Sequence, residues 1–218
     1  MKILALDSSG LVASVAVVEN ETLLAEYTVN YKKTHSQTLL PMLDEICNMT
    51  ELDLSNIDAI AVSGGPGSFT GLRIGSATAK GLGLALDKPL ISIPTTAAIA
   101  YNIWDTDKFV CPIMDARRNQ VYAGLYCYTD HHLDTIWEQD ALSIEALAEG
   151  LNCLDHEVIF LGDGVAVYRE KLEALLTIPF SFAPAHVNRQ RAAAVGALAE
   201  VYYKEGKIQT AEEHEPEY

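Results

Sequence analysis

The chain has 218 residues, of which 49% are apolar and 21% charged, a composition typical of a folded globular protein with a sizeable core. Thirty acidic residues against 15 basic ones give a formal net charge of −15, which disfavours direct binding of a nucleic-acid backbone by this surface. Because no apolar run reaches membrane-spanning length and the N-terminus lacks the pattern of a signal peptide, we expect a cytoplasmic protein that binds no membrane.

The first half of the sequence predicts a meander followed by alternating helices and strands. "KILALDSSG", "VASVAVVEN" and "TLLAEYTVN" are short β-rich runs joined by turn residues, among them Asn20. "THSQTLLPMLDEICNM" then has helical spacing of apolar residues, with Pro41 either in the first turn or at a kink. "IDAIAVSGG" predicts a buried strand, the glycine-rich stretch after it a helix, and "KPLISIPTTAAIAYNIW" a short strand and another helix.

The second half repeats this order. "VCPIMDARRNQVYAGLYCYTD" predicts a strand, a turn and a second strand, and "TIWEQDALS" predicts a weak third. The helical "SIEALAEGL", the strand in "EVIFLGDGVAV" and a last helix near Arg189 to Lys204 follow. A βββαβα order used twice predicts an α/β protein with a mixed sheet and helices on both faces in each half, and a cleft between the halves. We place one domain at 1–105 and the other at 106–218.

The stretch "SGGPGSFTGLRIGSATAKGLGLAL" is the most distinctive in the chain, since it holds seven of the 14 glycines. It misses the dinucleotide-binding fingerprint by one residue and has no lysine at the phosphate-loop position. A helix N-terminus after glycines still offers free N–H groups to an anion. The pattern favours a tight strand-to-helix turn over a phosphate cradle.

Small residues recur every four positions along the helix of this stretch, at Gly71, Gly75, Ala79 and Gly83. Each interior glycine costs about 1 kcal/mol relative to alanine, and close backbone approach is the usual compensation. A second apolar side is available to cover the sheet, and it consists of Ile74, Ala77, Leu84 and Ala85. We therefore expect the glycine strip, flanked by Leu72, Leu82 and Leu86, to meet another helix. This helix is either the Leu39–Cys47 helix of this chain or one from another subunit.

Aspartates end the first strand of each half, at Asp7 and Asp115. Carboxylates at strand ends can hold Mg²⁺ while the turn backbone meets phosphate, although such aspartates often only cap turns. Arg117 and Arg118 follow the second aspartate. The small residues Ser8 and Ser9 after Asp7 keep a nucleotide site open in the first half.

Metal and protease motifs are missing from the sequence. His35 has no second histidine at helical spacing, the four cysteines show no CxxC pair, and neither HExxH nor GxSxG occurs. We expect reduced thiols and no metal site. A lone histidine before a helix is more often a cap or interface residue than a ligand, and we assign His35 to that class.

"ILALDSSG", "THSQTLLP", "SGGPGSFTGLRIG" and "MDARRNQVY", in this order, resemble the bacterial TsaB (YeaZ) family of tRNA threonylcarbamoyladenosine biosynthesis proteins, over essentially the whole chain. The resemblance implies the two-lobed fold of the actin, hexokinase and Hsp70 superfamily (ASKHA fold). It also implies pairing with the transferase TsaD through the helices after the meander and after "GPGSFTG", with TsaE joining as an ATPase. Without TsaD, a homodimer through the same surface is implied. "EPEY" resembles the start of the family's Pro-x-Tyr-Leu-Arg ending, which implies further residues beyond Tyr218.

The leading hypothesis is a noncatalytic platform that docks onto TsaD and contacts tRNA only indirectly, because TsaD supplies the tRNA and metal contacts. Its expected interface combines the small residues and leucines of the two helices with His35, and consists of His35, Leu39, Leu40, Leu43, Gly71, Leu72, Gly75, Ala79, Leu82 and Gly83. The alternative is an enzyme acting alone, either a peptidase or an ATP hydrolase using Asp7, Ser8 and Ser9. No cofactor is expected in the platform itself, and ATP or ADP with Mg²⁺ would lie at a partner interface.

Overall fold

A computed structural model describes residues 1–31 and 35–217. Thr34, which opens the "THSQTLLP" motif, and Tyr218, which ends "EPEY", lie outside the described residues. The strands are β1 Lys2–Asp7, β2 Ala13–Glu19, β3 Thr22–Val29, β4 Ala59–Gly65, β5 Leu90–Pro94, β6 Phe109–Arg117, β7 Gln120–Thr129, β8 His132–Ser143, β9 Val158–Leu161 and β10 Phe180–Phe182. The helices are α1 His35–Thr50, α2 Phe69–Leu86, α3 Thr95–Ala100, α4 Ile144–Asn152, α5 Gly164–Leu175 and α6 Ala192–Lys204.

The duplicated order of elements is confirmed by two mixed five-stranded sheets. The first has strand order β3-β2-β1-β4-β5, in which β1 to β3 form the antiparallel meander and β1, β4 and β5 run parallel. The second sheet has the corresponding order β8-β7-β6-β9-β10. Each half therefore places an antiparallel meander beside parallel strands that are connected through helices.

The β2–β3 and β7–β8 hairpins close through two-residue turns in which both central residues have positive φ. Asn20 and Glu21 have φ values of 48° and 64°, and Asp130 and His131 have 49° and 66°. These are type I′ turns, whose twist matches that of the flanking strands and which favour Asn and Asp at the first position. The turn predicted at Asn20 is confirmed.

The central strands β1 and β4 of the first sheet are buried on both faces, which explains their continuous apolar runs. Leu4 and Leu6 point into the core shared with α1 and α2. On the opposite face, a Cβ added at Gly196 of α6 would lie 3.3 Å from Ala5 Cβ and 2.8 Å from Val18 Cγ2. Helix α6 thus lies directly on β1 and β2, and this close approach requires a glycine.

The domain limits differ from the prediction of 1–105 and 106–218. One compact unit is Met1–Ala98 together with the described chain from Gln190 onward, and the other is Ile99–Arg189. Arg191 Nε lies 3.1 Å from Glu26 Oε2 of β3, and Ala192 N donates to Ser14 Oγ of β2 at 2.8 Å. These bonds fix the start of α6 on the first sheet, so the last helix completes the first unit rather than the second.

The second unit has its own core, in which α4 and α5 pack on the second sheet. Phe160 of β9 is fully buried in this core, with Leu147 of α4 and Leu172 of α5. Within the described residues, none of the helices combines the length and apolarity needed to cross a bilayer.

After α6, residues 208–217 run along α2 and β5, and we call them the C-terminal strap. Gln209 exchanges two backbone hydrogen bonds with Leu90 of β5, of 2.8 and 2.9 Å. Lys80 Nζ of α2 donates to the carbonyl oxygens of Glu212 and His214 at 3.2 and 2.9 Å. The strap is therefore part of the first unit.

Candidate functional site

The glycine strip of α2 faces the chain's own sheet, which corrects the prediction that it meets another helix. A Cβ at Gly71 would lie 2.0 Å from Ser8 O, and one at Gly75 would lie 2.5 Å from Ser8 Oγ. At Gly83 the nearest atom is Leu90 Cδ1, at 2.5 Å, and Ala79 is fully buried. The strip lets α2 approach β1, β4 and β5 closely, and no side of it is left for another subunit.

The opposite side of α2 is the one left open. Ala77, Gly81, Leu84 and Ala85 are exposed, and a Cβ at Gly81 would meet nothing within 4 Å. Ala77, Gly81 and Ala85 recur every four residues, so they form a second stripe with little side chain. The glycine strip therefore packs on the sheet, and of the four residues that were predicted to cover the sheet only Ile74 packs against the core.

Helix α1 lies beside α2 and adds an exposed leucine to this surface. Leu40 is 54% exposed and Leu84 of α2 is 57% exposed. Leu40 and the half-buried Leu82 line a shared groove whose floor includes Leu43. We call Leu40, Leu82, Leu84 and the stripe Ala77, Gly81 and Ala85 the α1–α2 surface.

The predicted interface residues divide accordingly. Leu40 and Leu82 reach the surface, and Leu43 reaches it only as a groove floor. The others on the two helices are buried in the chain's own core, and these are Leu39, Gly71, Leu72, Gly75, Ala79 and Gly83. The sequence did contain a signal for the correct stripe, because Arg73, Ala77, Gly81 and Ala85 share one side and a charged arginine marks the side that faces solvent.

His35 is half-buried at the start of α1 and faces the turn between β1 and β2. Its Nε2 lies 2.8 Å from Gly10 O, and because a carbonyl oxygen can only accept, this nitrogen donates the hydrogen bond. The prediction that His35 is a cap or interface residue is compatible with this bond, which connects α1 to the β1–β2 turn.

Asp7 is completely buried at the end of β1, and both of its carboxylate oxygens accept hydrogen bonds. Ser9 donates to Oδ1 from its N at 2.9 Å and from its Oγ at 2.7 Å, and Ser63 Oγ of β4 donates to Oδ2 at 2.7 Å. Burial raises the pKa of Asp7, and the bonds from Ser63 and Ser9 oppose this rise. Ser8 Oγ donates to Gly71 O at 2.8 Å. The Asp7–Ser9 segment thus anchors β1 to β4 and to the start of α2.

The turn between β4 and α2, the candidate phosphate cradle, is packed against other parts of the chain. Gly65 has a φ of 123°, and a Cβ there would lie 2.0 Å from Glu217 O of the C-terminal strap. A Cβ at Gly67 would lie 2.3 Å from Ser9 O, which also accepts from Ser68 N at 2.7 Å. The glycines are therefore explained by a tight turn with close backbone neighbours.

In the second unit, the side chain of Asp115 accepts hydrogen bonds from nearby residues, as that of Asp7 does in the first unit. Its Oδ1 accepts from Arg117 N at 3.0 Å and from Tyr168 Oη at 3.2 Å, and its own N donates to Asp163 Oδ1 at 3.2 Å. Burial raises the pKa of Asp163. Across the described residues, no group of three or more His, Cys, Asp or Glu side chains is arranged to hold a metal ion.

The duplicated units with mixed five-stranded sheets define an ASKHA-fold protein. The ATP-glucomannokinase from Arthrobacter sp. strain KM has this fold, with a TM-score of 0.55 at 15% identity over 93% of this chain and 99% of its own. YeaZ from Pseudomonas aeruginosa is much more similar, with a TM-score of 0.86 at 27% identity over 100% of this chain and 99% of that chain.

Sequence comparison gives the same result. Residues 22–218 match the family model described as "TsaD: tRNA N6-adenosine threonylcarbamoyltransferase". The tRNA threonylcarbamoyladenosine biosynthesis protein TsaB of Bacillus subtilis is 34% identical over 81% of this chain and 77% of its own length. The chain belongs to the TsaB family, within the wider TsaD family.

Proposed function

We propose that the chain is a noncatalytic subunit of a tRNA threonylcarbamoyladenosine modification complex, in which it docks onto and activates a TsaD transferase together with TsaE. The observation that carries this proposal is the α1–α2 surface, an exposed apolar face with a stripe of small residues on a member of the TsaB family. Exposed apolar surface is typical of protein interfaces, and small residues let a foreign helix approach closely.

The charge of the chain supports a division of labour with the partner. At −15, this surface repels an RNA backbone on average, so we assign the tRNA contacts to TsaD. The hydrogen bonds that occupy both oxygens of Asp7 weigh against the alternative of an ATP hydrolase or peptidase acting alone. We propose that any ATP or ADP with Mg²⁺ lies at a partner interface rather than within this chain.

Co-purification with TsaD tests the proposal through two variants of the α1–α2 surface. Gly81→Leu adds a side chain into open space and Leu84→Glu places a charge in an exposed apolar position, so both variants should stay folded. We expect both to lose TsaD binding. Val167→Glu is the matched control, since Val167 is 58% exposed on a helix of the second unit. Retention of TsaD by both surface variants would refute the assigned docking surface.

The competing activity and the competing assembly are tested separately. Titration of the purified chain with ATP and Mg²⁺ by calorimetry should give no binding heat. A nucleotide-binding site that is lost in Asp7→Ala would instead favour the alternative, an ATP hydrolase acting alone.

Without TsaD, we propose a homodimer through the same surface, and TsaD should dissociate it. Sedimentation with and without TsaD measures this competition.

A further inference from the structure

The groove between α1 and α2 has an apolar floor and an acidic rim. It has a volume of about 520 Å³, and its apolar lining consists of Leu40, Leu43, Cys47, Leu52, Leu54 and Leu82. The carboxylates of Asp44 and Asp53 complete its lining. This volume exceeds that of a single large apolar side chain, so one such side chain from a partner can enter it.

The negative charge at this groove is not neutralised within the described chain. Helix α1 contains no lysine or arginine, and the exposed Glu45 and Glu51 lie close to Asp44 and Asp53 in the sequence. None of these four carboxylates forms an ion pair within residues 1–31 and 35–217. The hydrogen bond from Ser55 N lowers the pKa of Asp53, so its carboxylate is ionised at neutral pH.

The cations of α2 are already engaged by the chain itself. The Arg73 guanidinium stacks on the Phe69 ring, 4.2 Å from its centroid. Lys80 Nζ donates to two carbonyl oxygens of the C-terminal strap. The α1 and α2 helices of a second copy would therefore bring the same carboxylates to the groove, and both cations of these two helices are already engaged.

We propose that the groove selects a helix of a different protein, one that carries a large apolar side chain flanked by lysine or arginine. The inference rests on the proposed docking function and specifies the chemistry of the partner. The apolar side chain fills the groove as a buried anchor, and the flanking cations pair with Asp44 and Asp53 at its rim. Against a second copy, the carboxylates of both chains repel, so the acidic rim makes the proposed homodimer weaker than the complex with this partner and gives the surface its specificity.

The test uses TsaD from the same organism and charge variants of the rim. Asp44→Lys combined with Asp53→Asn should weaken the TsaD complex by about ten-fold or more, because close charge pairs contribute on the order of 1.4 kcal/mol or above. The same variant should self-associate more strongly than the unmodified chain in sedimentation. Asn at position 53 can still cap the following turn, which protects the fold. Glu149→Lys combined with Glu170→Lys, both exposed in the second unit, is the control.

Cys47 reports directly on whether the groove is filled. Alkylation followed by mass spectrometry should show slower labelling of Cys47 in the complex, while the exposed Cys153 in the second unit is labelled at the same rate as before. Unchanged Cys47 labelling in an intact complex, or unchanged affinity and self-association in the rim variant, would overturn this inference and leave the docking proposal standing. Absence of any TsaD complex would overturn both.

Discussion

Asp7 is an acidic residue whose role depends on the residues that donate hydrogen bonds to it. The sequence placed it correctly at a strand end with small residues after it, and those two features allowed both a metal site and a turn cap. The structure favours the cap, because Ser9 and Ser63 supply donors to both oxygens. This distinction depends on Ser63, which lies 56 residues away, so the local sequence could not have revealed it.

Asp7→Ala should lower the free energy of unfolding by about 1–3 kcal/mol for each buried donor that loses its acceptor. Asp7→Asn keeps an acceptor oxygen and should cost less. Urea unfolding of both variants measures the difference, with the exposed Asp134→Ala as the control. A stability equal to that of the unmodified chain in Asp7→Ala would show that the Asp7 bonds do not anchor β1.

His214 makes the C-terminal strap sensitive to acid. Its side chain is 1% exposed, and its Nδ1 accepts a hydrogen bond from Gln209 Nε2 at 2.7 Å. Burial, and then the nearby Lys80 cation, lower the pKa of His214 below 6.5. The folded chain therefore binds fewer protons at this site than the unfolded chain does. Its contribution to stability is complete above pH 6.5 and is lost as the pH falls through the folded-state pKa.

His214→Gln should remove this part of the pH dependence. We expect the free energy of unfolding of the unmodified chain to fall more steeply below pH 6.5 than that of the variant. Denaturant titrations from neutral pH into the acid range give both curves, and His186→Gln, at an exposed site, is the comparison. Parallel curves for the His214 variant and the unmodified chain would contradict the assignment.

In helix α2, the periodicity of the sequence determined that the segment is helical but not which of its sides faces inward. The 3.6-residue pattern predicted the helix, and α2 extends over Phe69–Leu86. The pattern did not determine which side faces inward, because both apolar sides are built from small residues and leucines. The choice depends on shape, since only the glycine strip lets the backbone of Ser8 approach this closely.

A matched pair of glycine substitutions in α2 tests this orientation. Gly81→Ala should raise the free energy of unfolding by about 0.4–1 kcal/mol, because the position is open and alanine favours a helix. Gly75→Ala should lower it by about 1–3 kcal/mol, because its Cβ would overlap Ser8 Oγ. Thermal and urea unfolding provide the comparison. Effects of the same sign at the two sites would mean that α2 does not lie as described.

Other elements differ in how strongly the sequence specified them. The meander strands and β4 are long apolar or alternating runs with clear turn residues, and they were predicted. Strand β10 was not, because Phe180–Phe182 has three residues and no flanking pattern. The last helix was predicted near Arg189 to Lys204 and extends over Ala192–Lys204. The sheet on which it packs was not predicted, because contacts between residues more than 160 positions apart leave no local signal in the sequence.

The division of the chain into units leads to a prediction for fragments. Residues 1–105 form the predicted first domain, but without α6 they leave the face of β1 and β2 that carries Ala5 and Val18 uncovered. We expect this fragment to be expressed without cooperative unfolding, and a fragment of residues 99–189 to unfold cooperatively, since its core lies within those residues. Circular dichroism with denaturant compares them. A cooperative transition of the 1–105 fragment would show that α6 is dispensable.

The return of α6 to the first sheet has a consequence for synthesis on the ribosome. Residues 99–189 are complete before α6 emerges, so the later unit can fold first. At a usual elongation rate of about 5–20 residues per second, the N-terminal meander waits roughly 9–35 seconds for its covering helix. During that interval the apolar face of the nascent sheet is open to chaperones and to neighbouring chains, so pausing of translation late in the message should govern the yield of native protein.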